Sequence, residues 1–167
     1  LELQDPDAID VVADVAQCVI DVEGPVEEEV IFTRVRLAWG VGRAGQVVRD
    51  RISRALKRLV RRGIVVRIGT AYDRPGRGLE YARTATERCS RKVGEVPAPE
   101  RQLVIRNVVE EGPGVHREDL LREAARFFGW SRLGSEIRDA LTSDIDKLIA
   151  DGVVVESEGG LMPAEGA

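Results

Sequence analysis

Aromatic residues make up only 4% of this 167-residue chain, too few for a stacking platform that would bind single-stranded nucleic acid. Histidine occurs once and cysteine twice, at Cys18 and Cys89, so no set of zinc ligands has the required spacing. Nothing in so sparse a cysteine pattern implies an oxidising compartment, and both thiols read as those of a cytoplasmic protein. No apolar run approaches the roughly 18 residues of a membrane span, and no signal-peptide pattern opens the chain. No serine sits in a nucleophile elbow and no acid cluster has the spacing of a metal-dependent nuclease. These absences point away from an enzyme, a cofactor and a membrane. Leu1 rather than Met stands first, as in a processed chain or a fragment of a larger protein.

The charge is present in abundance, and it is polarised. The formal net charge is −4, yet residues 1–33 carry ten acids and no Lys or Arg, a net −10. Residues 34–92 carry seventeen basic side chains against four acids, a net +13, and residues 93–167 carry a net −7. A segment so basic inside an acidic chain exceeds what solubility needs and marks a place for an anionic partner.

The basic segment centres on Arg43 to Arg62, RAGQVVRDRISRALKRLVRR. Val48, Ile52, Ala55, Leu56, Leu59 and Val60 recur at helical spacing as one apolar stripe. Arg43, Gln46, Asp50, Arg54, Lys57 and Arg61 fall on the opposite face, flanked by Arg51, Arg58 and Arg62. Gly63 stops the helix; Ile64 to Ile68 reads as a strand and Leu79 to Arg83 as its return, joined by the turn GTAYDRPGRG. A basic helix followed directly by a basic hairpin is the layout of a winged helix-turn-helix.

Upstream, Asp5-Pro6-Asp7 opens a first helix with a capping acid and an early proline. Ile9, Val12, Ala13, Ala16, Val19 and Ile20 form its buried face, and Glu23-Gly24-Pro25-Val26 breaks it. A second helix is expected over Glu27 to Trp39, ended by Gly40. The same order returns later in the chain. Glu111-Gly112-Pro113 repeats Glu23-Gly24-Pro25 at an offset of 88, and an offset of 89 then pairs Gly40 with Gly129, Arg49 with Arg138, Asp50 with Asp139 and Gly63 with Gly152. Matches at fixed spacing indicate a duplication. The expected fold is mainly α with small hairpins, a tandem of winged helices: residues 1–83, a linker over 84–99 containing VPAPE, and residues 100–167.

Features kept in both copies belong to the fold, which casts Arg49-Asp50 and Arg138-Asp139 as structural polar pairs. The basic stripe is not kept: Arg54, Lys57, Arg61 and Arg62 become Ser143, Asp146, Ala150 and Asp151, and the second hairpin carries Glu156 and Glu158. Two other motifs invite a chemical reading and fail on context. Gly40-Val41-Gly42-Arg43-Ala44-Gly45 spells G-x-G-x-x-G, but a helix precedes it where a dinucleotide site needs a strand. His116 stands beside Glu118 and Asp119 with no second histidine, and the two acids suit a helix start. Trp39, Trp130, Phe127 and Phe128 read as core around a turn, with Trp130 a candidate protein contact.

Glu23-Gly24-Pro25-Val26, Ala38-Trp39-Gly40, Arg43-Ala44-Gly45 and the helix to Gly63, with their counterparts Glu111-Gly112-Pro113, Phe128-Gly129, Arg132-Leu133-Gly134 and the helix to Gly152, resemble a bacterial domain of unknown function. That domain sits at the C-terminal end of large superfamily 1 helicase-like proteins, often after a Vsr-like endonuclease domain. The resemblance implies a non-catalytic appendage of a DNA-processing protein; helicase and nuclease motifs are themselves lacking. The expected partner is duplex DNA, bound by the first copy through Arg43, Gln46, Arg51, Arg54, Lys57, Arg58, Arg61 and Arg62 of the helix and Tyr72, Arg74 and Arg77 of the wing. The rival expectation is a protein-interaction or self-association module using the acidic second copy, whose acids could also cover the basic helix when DNA is absent.

Overall fold

The computed structural model describes residues 2–3, 5–43, 45–87 and 89–165. Leu1 and Ala44, the latter part of the glycine motif and of the expected turn, lie outside the described residues. The chain is mixed α/β: six α-helices and two small antiparallel sheets among the described residues. It divides into two compact units, Leu1–Gly78 and Leu79–Ala167.

In the first unit a 3-10 turn, Pro6–Ala8, leads into α1 (Ile9–Glu23), followed by β1 (Val26–Glu27), α2 (Glu28–Ala38), α3 (Gln46–Arg61), β2 (Val66–Ile68) and β3 (Ala71–Asp73). Asp5 does not cap with its side chain; that carboxylate accepts the Glu2 backbone N–H, while its carbonyl accepts from Ala8. The apolar stripes meet as their period demands: Val12, Ala16 and Ile20 of α1, Ile31 and Val35 of α2, and Ile52, Ala55 and Leu56 of α3 are buried together. Val60, expected in the stripe, is 37% exposed at its edge. Gly40 and Gly63 close α2 and α3 at φ of 67° and 68°, a conformation other residues adopt only with strain.

The hairpin differs from expectation. Gly69, at φ 62°, turns the chain directly after β2, so Ile68 pairs with Ala71 and Val66 with Asp73. The return strand therefore lies inside the stretch that composition marks as one long turn, and Leu79 to Arg83 forms no strand. β3 is central because β1 pairs on its other edge, Val26 opposite Tyr72, which explains why all of Ala71–Asp73 is buried. Beyond β3, Arg77 donates to the carbonyls of Gly24 (2.7 Å) and Asp21 (2.9 Å) and pairs with buried Asp73. Gly24 sits in this closure, where a Cβ would stand 2.5 Å from Asp73 Oδ1.

The second unit repeats the order. A 3-10 turn, Val93–Glu95, precedes α4 (Ala98–Glu111), α5 (Arg117–Phe127), α6 (Ser135–Ala150), β4 (Val154–Ser157) and β5 (Gly160–Pro163). Both bounds of α5 and α6 lie 89 residues after those of α2 and α3. A single bridge, Val115 to Leu161, takes the place of the β1–β3 pairing. The segment expected as a linker is tied down on this unit. Buried Glu100 accepts from the Arg83 backbone N–H (2.7 Å) and pairs with Arg83 (3.1 Å) and Arg91 (2.7 Å), while Trp130 Nε1 donates to the Arg91 carbonyl at 2.7 Å. Trp130, expected as a candidate protein contact, is thus half-buried, its ring stacked on Phe128.

Candidate nucleic-acid interface

α3 is clamped by its buried stripe, so the residues between those apolar positions must face outward. Arg54, Lys57, Arg61 and Arg62 are exposed and make no ion pair with any of the described residues. Four uncompensated cations along about two turns of helix constitute a strong local positive field.

The remaining expected site residues divide. Arg58 pairs with Asp10 of α1 at 2.7 Å and stays 28% exposed. Arg51 is half-buried on the same helix, and Arg43 is exposed ahead of it. Gln46 donates to Asp50 Oδ1 at 2.8 Å, so Asp50 makes a local polar contact on the open face of the helix. Arg49 instead reaches α2 and pairs with Glu29 at 2.7 Å. The same contact recurs in the second unit as Arg138 to Glu118 at 2.5 Å. The hydrogen bond from arginine is the main reason that Glu29 and Glu118 are both held below the ordinary carboxylate range.

The wing residues are where structure and expectation part. Tyr72 is 4% exposed and its hydroxyl donates to Glu28 at 2.8 Å. Burial first, and the Glu28 carboxylate second, push that hydroxyl up to about 12. Arg77 is spent on Gly24, Asp21 and Asp73, and Arg74 lies exposed 3.6 Å from Asp21. Burial and these internal partners leave Tyr72 and Arg77 serving the fold of the hairpin. The hairpin's outward cation is Arg67, a residue sequence reasoning passed over. It lies across from Tyr72, with its guanidinium 5.9 Å from the ring centre and its Nε donating to the Gly69 carbonyl. The period-2 pattern of Val66-Arg67-Ile68 was the available signal. With Arg54, Lys57, Val60, Arg61 and Tyr72, Arg67 lines a groove between α3 and the hairpin.

The second unit inverts this groove. At the positions of Glu28, Lys57 and Arg67, 89 residues on, stand Arg117, Asp146 and Glu156. Arg117 pairs with both acids, at 2.9 Å and 2.7 Å, and those partners, Glu156 before Asp146, raise its affinity for its proton. Asp151 is taken by Lys147 at 2.8 Å. The charges of this groove are thus satisfied internally.

Gly40 to Arg43 follows a helix rather than a strand, and Arg36 donates to the Val41 and Gly42 carbonyls. His116 is exposed just ahead of α5 and makes no capping bond. Among the described residues no group of three or more His, Cys, Asp or Glu is arranged to hold a metal, and no helix is long and apolar enough to cross a membrane.

Residues 2–50 match the model of a family described as a protein of unknown function (DUF3320). The matched stretch takes in α1, β1, α2 and the first turn of α3, and ends before Arg54, Lys57, Arg61 and Arg67. No curated protein and no solved structure matches the chain.

Proposed function

We propose that this chain is a non-catalytic module of two winged helices whose first unit binds duplex DNA, serving a helicase- or nuclease-type DNA-processing protein. The succession α1–β1–α2–α3–β2–β3, with β1 completing the sheet, supports the winged-helix reading of the first unit. In that reading α3 is the helix that enters the major groove. The observation that carries the proposal is the contrast in satisfaction of charge. Arg54, Lys57, Arg61 and Arg62 lack acidic partners among the described residues, while both acids of the counterpart groove are paired with Arg117. Cations left unpaired beside a groove are those able to release counterions from a phosphate backbone. Contacts of this kind position a protein without reading sequence, so base preference is weak.

The test is duplex affinity across a salt series for the full chain and for Arg54→Ala/Lys57→Ala/Arg61→Ala/Arg62→Ala. Each neutralised phosphate adds about −0.9 to the slope of log affinity on log salt, so the variant's slope should be shallower by about two to four. Its fold should survive, because the buried stripe is untouched and alanine favours helix. An unaltered slope in a folded variant sinks the proposal.

A second reading attaches to the second unit. Val155 and Met162 are cross-strand neighbours on the β4–β5 hairpin and are 51% and 43% exposed. An apolar pair beside a groove whose charges are already paired suits a protein contact, and this unit is the proposed site of any partner or self-association.

A further inference from the structure

The hairpin-side groove is one of two that flank α3. On the opposite side, Arg54, Arg58, Arg61 and Arg62 line a second groove together with Ile9 at the start of α1. Arg54 and Arg61 border both, so they form a ridge. At 100° per residue, Arg58 and Arg62 fall on one side of that ridge and Lys57 on the other. A helix with its side chains is about 10–12 Å across, the width of the B-DNA major groove at about 12 Å, whose walls are the two phosphate backbones.

We infer that α3 touches both strands of a duplex, the hairpin-side groove holding phosphates of one strand and the α1-side groove holding phosphates of the other. This rests on the DNA reading above. The chemistry of the α1-side groove is already shown by one of its lining residues, because Arg58 holds an oxyanion. The Asp10 carboxylate lies 2.7 Å from Arg58 and is 64% exposed, a small, displaceable stand-in for a phosphate oxygen. A phosphodiester that takes Arg58 must replace Asp10 and is repelled by it until it does so.

The experiment compares duplex and single-stranded DNA of the same sequence across a salt series. It uses the full chain with Arg58→Ala/Arg62→Ala, Lys57→Ala/Arg67→Ala, all four changes together, and Asp10→Asn. Thermal melts establish that each variant is folded. On duplex, each flank variant should lose about one to two from the slope and the losses should add. On a single strand, which has one backbone, the combined loss should not exceed the larger single loss. Asp10→Asn should tighten duplex binding and steepen the slope by up to about one. A merely structural Asp10–Arg58 pair predicts the reverse, since breaking it from either end would weaken binding. If the hairpin-side variant alone flattens the duplex slope, the two-strand inference falls and the DNA reading stands. If neither flank matters, the two-strand inference falls, and the DNA reading then falls too if the Arg54→Ala/Lys57→Ala/Arg61→Ala/Arg62→Ala variant also keeps its slope.

Discussion

Glu28, Lys57 and Arg67 in the first unit and Arg117, Asp146 and Glu156 in the second occupy the same places in the same element order with every sign reversed. Reversal alone would leave two grooves of equal and opposite appetite. The pairing differs too. Arg117 binds both acids of its groove, whereas Glu28 takes the Tyr72 hydroxyl, while Lys57 has no ion-pair partner among the described residues and Arg67 bonds to a backbone carbonyl. One fold thus yields a groove with unpaired cations and a counterpart whose two acids share one arginine. What a groove can bind follows from which charges its own neighbours have already used.

The interiors differ in the same spirit. Ala13 and Ala55 are buried in the first unit. The corresponding places in the second hold Arg101 and Asp144, a buried pair at 2.6 Å whose carboxylate also accepts from Gln102. Burial pushes the Asp144 carboxyl up, against the pull of Arg101.

Removing one half of that pair should have the largest effect. Asp144→Ala leaves the mostly buried Arg101 guanidinium with the Val96 carbonyl but without its acid, and breaking such pairs costs about 3–5 kcal/mol. Denaturant unfolding followed at Trp130 should register the loss. A change within about 1 kcal/mol would mean that water or Gln102 replaces the partner at little cost.

The comparison can next be broken by transplanting the groove. Arg117→Glu, Asp146→Lys and Glu156→Arg, with Ser143→Arg and Ala150→Arg, carry the first unit's charges onto the second. In a chain whose α3 cations are removed, these changes should restore a salt slope of about two to three units. No recovered DNA affinity would show that α3's surroundings, and not only its charges, make the site.

A subtler difference is acid sensitivity. Burial alone would raise the Glu100 carboxyl, but hydrogen bonds from Arg91 and Arg83 outweigh it and hold it below the ordinary value of 4.5. A carboxylate depressed in the folded state stabilises above its unfolded pKa and loses that contribution as pH falls through the folded value. The second unit should therefore weaken below about pH 4.5, and Glu100→Gln should be less stable at neutral pH with a flatter acid limb. Melting temperature against pH, read at Trp130, provides the check.

Much of this was legible from residues alone. Helical period, stop glycines and an 89-residue offset are local or self-referential signals, and they outlined the helices, their order and the basic face of α3. The hairpin was misplaced because Ala71–Asp73 is too short for a period and sits among Gly, Pro and Arg, so composition mimicked a loop. The contacts of the linker stretch were not legible, because nothing near Arg83 or Arg91 announces that Glu100 will bury against both.

The sequence by itself determined where the chain is helical, where it stops, and how positive charge is concentrated between residues 34 and 92. Only the tertiary structure decided which of those charges remain available. Arg58 meets Asp10, Arg77 meets Gly24 and Asp21, and Tyr72 meets Glu28, each across more than forty residues of chain. Periodicity is written along the backbone, but an ion pair is a matter of a few ångströms through space, and folding alone brings such distant partners together.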